Sequence, residues 1–198
     1  MDAPGCGTVM DSLVTSTAVV ALAEIGDKTQ LLAIVLATRF QRPWPVVAGI
    51  LVATLANHFL AALVGSEAAF LLDSQWFRYL IALSFIGMAL WTLVPDKLDD
   101  LNQSPARFGA FLTTVIAFFL VEMGDKTQVA TVALGAQFQN VGMVTLGTTL
   151  GMMIANVPAV FLGNSLVQRV PVDIVRKIAA LLFFVIGLWL LLQTAEII

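Results

Sequence analysis

A seven-residue motif occurs twice in this chain with one difference, each time in the middle of a long apolar run: EIGDKTQ, Glu24 to Gln30, returns as EMGDKTQ, Glu122 to Gln128. The copies begin 98 positions apart, and at this offset further identities follow without a gap. They include Phe40 with Phe138, Gly49 with Gly147, Arg78 with Arg176, and Trp91 with Trp189. Because a chance match would not extend over about seventy residues, we interpret the chain as an internal duplication.

The apolar runs are long enough to cross a membrane. Of the 198 residues, 59% are hydrophobic and 12% are charged, against about 25% charged residues in soluble domains. A span takes about 20 mainly apolar residues. Six candidates follow: Leu13 to Thr38, Trp44 to Gly65, Phe77 to Val94, Phe108 to Ala136, Val141 to Gly163 and Val172 to Gln193. The chain is therefore predicted to be an all-α integral membrane protein with six transmembrane helices in the lipid bilayer.

The N-terminal segment and the overall charge exclude several alternatives. No Lys or Arg precedes the first span, which has charged residues at its centre, so a cleaved signal peptide is not indicated. Cys6, the single cysteine, is expected in an N-terminal tail and offers neither an intrachain disulfide nor a cysteine metal site. The net charge of −3 gives no sign of nucleic-acid binding.

Basic residues predict the orientation of the spans, because loops rich in Lys and Arg stay in the cytoplasm. On one side of the membrane the predicted loops and span ends contain only Arg78. On the other side, predicted to be the cytoplasm, they contain seven basic residues: Arg39, Arg42, Lys97, Arg107, Arg169, Arg176 and Lys177. Both termini are therefore expected outside. Since three spans are an odd number, residues 104–198 form an inverted copy of residues 1–103, joined through the acidic stretch Asp96 to Asp100. Inverted repeats with polar groups at the midplane are a transporter architecture.

The duplicated motif places charge at the predicted midplane. Its ionisable residues are Glu24, Asp27, Lys28, Glu122, Asp125 and Lys126. Insertion costs about 2.5 to 3.5 kcal/mol for each such residue, or about 15 to 20 kcal/mol together. This exceeds the typical total stability of a domain, about 5 to 15 kcal/mol. The groups must therefore neutralise one another, be hydrated, or hold a ligand.

The residue types favour a hard divalent cation. On a continuous helix Glu24 and Asp27 share a face, as do Glu122 and Asp125, so the four carboxylates are expected to converge. With two lysines the formal charge is −2, which one divalent cation or two protons would cancel. Carboxylate, amide and hydroxyl oxygens suit Mn²⁺, Ca²⁺ and Mg²⁺. The neutral oxygens come from Thr29, Gln30, Thr127 and Gln128.

Two further expectations concern the motif's own conformation. Gly26 and Gly124 lower helix stability and predict an irregular turn between the acids. An alternative is structural: Glu24 and Lys28 have the i, i+4 spacing of an ion pair on a helix. Outside the motif, Asn57 and His58 in the second span and Asn156 in the fifth are auxiliary candidates, with His58 and Asn156 equivalent at the 98-residue offset.

The doubled pattern E-x-G-D-K-T, here EIGDKT and EMGDKT, resembles a family of small cation/proton exchangers. That family includes bacterial manganese exporters, chloroplast manganese transporters and Golgi manganese and calcium exchangers. The resemblance implies export of Mn²⁺, with Ca²⁺ as a second substrate, in exchange for protons. It also implies that Glu24, Asp27, Glu122 and Asp125 bind the ion, and it places Lys28 and Lys126 in the motif without a stated role. No cofactor beyond the transported ion is expected.

The sequence is compatible with other function classes as well. A small-solute exporter of the amino acid type could share the six-span layout, and a passive cation channel could use acidic rings. A membrane enzyme acting on lipid phosphates would need arginines to hold phosphate, and none lies at the predicted midplane. A bacterial inner membrane is the expected location. Monomer and homodimer are both compatible with the sequence.

Overall fold

A computed structural model of the chain describes residues 6–71, 75–94, 109–163 and 172–195. Within these ranges every regular element is an α-helix, as the composition predicted. The helices are α1 (Cys6–Glu24), α2 (Lys28–Phe40), α3 (Pro43–Leu71), α4 (Gln75–Thr92), α5 (Ala110–Glu122), α6 (Lys126–Phe138), α7 (Val141–Leu162) and α8 (Val172–Thr194). The predicted linker at Asp96 to Asp100 lies outside the described residues, as does the boundary between residues 103 and 104.

Two of the six predicted spans are interrupted. The span predicted from Leu13 to Thr38 consists of α1 and α2, and the span predicted from Phe108 to Ala136 consists of α5 and α6. Each break falls at the glycine of the motif, where an irregular turn was expected. The prediction that Cys6 lies in an N-terminal tail is wrong, because α1 begins at that residue.

Among the described residues, three helices are long and apolar enough to cross a membrane. They are the segments Pro43–Phe70, Val141–Leu162 and Asp173–Thr194. In the most apolar 18-residue stretch of each, 28% is buried in Asp173–Thr194 and 61% in Val141–Leu162. Helix α7 is therefore central, and α8 presents most of its apolar surface outward. Such an apolar exterior is expected of a protein whose surroundings are lipid.

Glycines allow close helix contacts in the interior. A methyl group added at Gly147 of α7 would lie 2.6 Å from the carbonyl oxygen of Leu13 in α1, and one at Gly151 would lie 2.7 Å from that of Thr17. The segment GTTLG, Gly147 to Gly151, thus allows close packing of α7 against α1, because without side chains at these two glycines the backbones approach one another.

The equivalent contact recurs between the other pair of helices. A methyl group added at Gly49 of α3 would lie 2.9 Å from the carbonyl oxygen of Phe111 and 2.7 Å from Cβ of Thr114, both in α5. Gly49 is the counterpart of Gly147, and α5 is the counterpart of α1. Each half of the chain therefore packs its long helix, α3 or α7, against the first helix of the other half. The two halves interlock around the motif.

Candidate metal centre

Both motif copies form the same tight turn. Gly26 has φ 81° and Gly124 has φ 76°, a left-handed conformation that glycine adopts without steric cost. The aspartates that follow have almost identical dihedral angles, φ −81° with ψ 167° at Asp27 and φ −81° with ψ 168° at Asp125. Each aspartate is the N-cap of the helix that follows. The expected irregular turn is therefore confirmed in both copies.

Glutamine closes each turn. The backbone N–H of Gly26 donates to Oε1 of Gln30 at 3.0 Å, and that of Gly124 donates to Oε1 of Gln128 at 2.7 Å. The same side chains reach neighbouring helices, since Gln30 Nε2 donates to the carbonyl oxygen of Ala155 at 3.0 Å and Gln128 Nε2 donates to Oδ1 of Asn57. In this structure the two glutamines hold the turn against α7 and α3.

Three of the four predicted acids meet. Glu24, Glu122 and Asp125 each offer an oxygen, and the three oxygens lie within 4.8 Å of one another. We call these residues the carboxylate cluster. The glutamates are fully buried and Asp125 is 3% exposed. Oxygens this close suit one hard cation, for which metal–oxygen distances of about 2.0 to 2.6 Å are usual.

The fourth acid, Asp27, is buried but lies outside the carboxylate cluster. Its Oδ1 is 4.0 Å from Nζ of Lys126. The expectation that all four carboxylates converge is therefore met for three of them. A helix break separates the glutamate from the aspartate in both copies, so the shared helical face expected from a continuous helix does not form in either. Glu122 and Asp125 meet in spite of this break, whereas Glu24 and Asp27 do not.

The motif lysines reach across to the other copy. Lys28 Nζ lies 2.8 Å from Oδ1 of Asp125, and the counterpart contact joins Lys126 to Asp27. The alternative of an i, i+4 pair between Glu24 and Lys28 is wrong, because α1 ends at Glu24 and α2 begins at Lys28. Each lysine instead offsets the charge of an aspartate 97 or 99 positions away in the chain.

Both motif threonines donate to one glutamate. Thr29 Oγ1 donates to Oε2 of Glu24 at 2.5 Å, and Thr127 Oγ1 donates to Oε1 of the same residue. Within the described residues, neither oxygen of Glu122 has a hydrogen-bond partner. A buried carboxylate with two open oxygens in a charged cluster is a feature that a bound cation would satisfy.

The auxiliary candidates on α3 and α7 differ in their contacts with this centre. Asn156 lies beside Glu24 and donates through Nδ2 to the carbonyl oxygen of Met152 at 3.1 Å. His58 is fully buried, and neither ring nitrogen has a partner among the described residues. His58 lies outside the carboxylate cluster, whereas Asn57 contacts the second motif copy through Gln128.

One wall of the site was not predicted from the sequence. Lys126 Nζ donates to the carbonyl oxygen of Val94, just past the end of α4, at 3.3 Å. A small cavity beside Asp27 is bounded by Thr92, Lys126 and Arg176. The sequence shows that Arg176 is identical to Arg78 at the 98-residue offset. This identity did not indicate that Arg176 lies near the motif.

Comparison with known proteins agrees with this chemistry. The family described as "Divalent cation/proton antiporter GDT1" matches residues 12–100 and 110–197, so each match contains one motif copy. The protein is 48% identical over 181 residues to the "Putative manganese exporter" of Vibrio cholerae serotype O1, covering 91% of this chain and 90% of the relative.

More distant relatives come from phototrophs. A GDT1-like protein of Synechocystis is 30% identical over 83% of this chain and 89% of its own length, and GDT1-like protein 5 of Arabidopsis thaliana is 29% identical over 96% of this chain and 99% of its own. No solved structure matches the chain. With the family matching nearly the whole sequence and both motif copies forming a buried acidic centre, the chain belongs to the GDT1 family of divalent cation/proton antiporters.

Proposed function

We propose that this protein exports Mn²⁺ from the cytoplasm in exchange for protons, with Ca²⁺ as a second substrate. The observation that carries the proposal is the carboxylate cluster, in which both motif copies supply buried oxygens to one point. Oxygen ligands suit a hard cation. The choice of manganese is supported by the name of the Vibrio cholerae relative.

The proposed topology has six membrane spans in two inverted repeats, residues 1–103 and 104–198. The broken pairs α1 with α2 and α5 with α6 would each form one span, and α3, α4, α7 and α8 the other four. The matched turns at Gly26 and Gly124 and the exchanged contacts of Gly49 and Gly147 support this arrangement. The distribution of Lys and Arg supports both termini outside a bacterial inner membrane.

The proposed mechanism is alternating access. With the centre open to the cytoplasm, deprotonated carboxylates of Glu24, Glu122 and Asp125 bind the metal. Movement of one repeat against the other then opens the centre to the outside, where protons displace the ion and return with the carrier. Metal and proton compete for the same oxygens, so coupling follows from a single site. Discontinuous helices at a repeat interface are typical of such sites.

Uptake into inside-out proteoliposomes with an internal pH indicator tests the proposal. Offering Mn²⁺, Ca²⁺ and Mg²⁺ in turn should give Mn²⁺ entry coupled to proton exit, with Ca²⁺ second. Asp125→Asn should abolish both signals. Glu67→Gln, which neutralises an exposed acid on α3 away from the centre, is the matched control and should transport normally.

Each contrary outcome has a distinct meaning. Metal entry without proton movement would favour a passive cation channel over an antiporter. No entry of any of the three ions would favour the small-solute exporter and would overturn the proposal. Equal transport by Asp125→Asn and the unmodified protein would show that the ion takes another route.

A further inference from the structure

Lys28 occupies a carboxylate that the ion would use. Its ammonium nitrogen lies 2.8 Å from Oδ1 of Asp125, which belongs to the carboxylate cluster with Glu24 and Glu122. The other oxygen of Asp125, Oδ2, has no hydrogen-bond partner among the described residues. One face of this carboxylate is therefore held by the lysine while the other is open.

A divalent cation and an ammonium group on one carboxylate repel each other strongly. The repulsion would act over a few ångströms among buried groups, where water screens charges less than it does at the surface. The Lys28 side chain is 27% exposed, whereas that of Lys126 is 7% exposed, so Lys28 has more room to move away from its aspartate. Simultaneous occupancy of Asp125 by both cations is therefore unfavourable.

We propose that Lys28 is a resident competitor for the transported cation: its ammonium group pairs with Asp125 between transport events, and the incoming ion displaces it. This inference deepens the proposed function and rests on it. The lysine weakens ion binding and, by returning to Asp125, helps the ion to leave. A lysine that stayed on Asp125 throughout would repel the ion too, so displacement is distinguished by a rise in the accessibility of Lys28 when the ion binds.

Lys126 provides a matched comparison within the same protein. It occupies the same motif position, but its ammonium nitrogen lies 3.3 Å from the carbonyl oxygen of Val94 and 4.0 Å from Asp27, an acid outside the carboxylate cluster. Its removal should therefore change ion affinity less than removal of Lys28.

Calorimetric titration of the purified full-length protein with Mn²⁺ at fixed pH tests the proposal. Lys28→Met is expected to bind Mn²⁺ about tenfold more tightly, and Lys28→Arg, which keeps the charge, within about threefold of the unmodified protein. Lys126→Met should shift affinity less than Lys28→Met does. In transport, Lys28→Met should lower both KM and the maximal rate, because the ion leaves more slowly.

A second measurement needs no substitution at Lys28. A water-soluble amine reagent, followed by mass spectrometry, should modify Lys28 of the unmodified protein several-fold faster when Mn²⁺ is bound. The increase should be smaller at Lys126. This readout remains informative if Lys28→Met does not fold.

The outcomes separate the inference from the function on which it rests. Equal or weaker Mn²⁺ binding by folded Lys28→Met, or protection of Lys28 by Mn²⁺, would overturn the competitor role while leaving Mn²⁺ transport intact. Absence of Mn²⁺ binding by the unmodified protein would instead overturn the proposed function, and the inference with it.

Discussion

The two motif copies share one backbone and differ in their side-chain contacts. The turns at Gly26 and Gly124 differ by 5° in φ, and the N-cap aspartates that follow them coincide within 1° in ψ. Yet Glu24 accepts two threonine hydroxyls, whereas Glu122 accepts none from the described residues. Equal backbones therefore do not impose equal sites.

The lysine contacts are unequal in the same way. Lys28 closes on Asp125 at 2.8 Å, while Lys126 stands 4.0 Å from Asp27 and is held by the carbonyl oxygen of Val94. The turn of the second copy is also more open, since Met123 is 57% exposed and its counterpart Ile25 is half-buried. Exchange of these roles between the copies is what the proposed alternation requires.

Neutralising the aspartates should have the largest effect. Asp125→Asn and Asp27→Asn are both expected to reduce Mn²⁺ transport to background, because each copy takes its turn in the cycle. They should differ in binding, measured calorimetrically in the purified protein. Asp125→Asn removes a cluster ligand and should cost at least about 100-fold in affinity, and Asp27→Asn clearly less.

Equal binding losses in the two aspartate variants would break the comparison, since the inequality of the copies would then have no functional meaning. Normal transport by both variants would refute the paired site altogether.

Removing a threonine hydroxyl should have an intermediate effect. Thr127 donates to Glu24 across the two copies, and a hydrogen bond to a charged group is worth about 1.5 to 3 kcal/mol. Thr127→Val should therefore lower Mn²⁺ affinity about tenfold. Thr127→Ser retains the hydroxyl and should stay within about twofold. Affinity unchanged in Thr127→Val would show that Glu24 does not depend on this contact.

A methyl group on the turn glycine should affect folding more than chemistry. Gly124 has φ 76°, and an added Cβ would meet no atom within 4 Å, so the cost is purely conformational. Gly124→Ala should lower the free energy of unfolding by about 1 to 2 kcal/mol. An added Cβ at Gly87 in α4 would also meet no atom within 4 Å. Because Gly87 lies inside a helix, Gly87→Ala should raise the free energy of unfolding by about 0.5 to 1 kcal/mol. Thermal unfolding in detergent that moved both variants in the same direction would contradict this assignment.

How much of this site the sequence predicts depends on the kind of contact involved. The glycine between the two acids of each motif predicts the break, because the break follows from local conformation. The partner of Lys28 could not be predicted, since spacing along a continuous helix indicated Glu24 and only the break directs it to Asp125. The contact of Lys126 with the carbonyl oxygen of Val94 could not be predicted either, because every residue has a backbone carbonyl and the sequence does not single one out.

His58 should have the smallest effect, and its replacement makes the two halves more alike. His58 is the counterpart of Asn156 in the first half of the chain. It is fully buried and lies outside the carboxylate cluster. His58→Asn is therefore expected to keep Mn²⁺ affinity within about threefold, because no ligand is lost and a buried polar group of similar capacity remains. Calorimetric titration with Mn²⁺ and Ca²⁺ in parallel measures this. A tenfold loss confined to Mn²⁺ would identify the imidazole as a nitrogen ligand that favours Mn²⁺ over Ca²⁺, since Ca²⁺ prefers oxygen. The inequality between the two copies would then extend from the motif to the helices that pack against it.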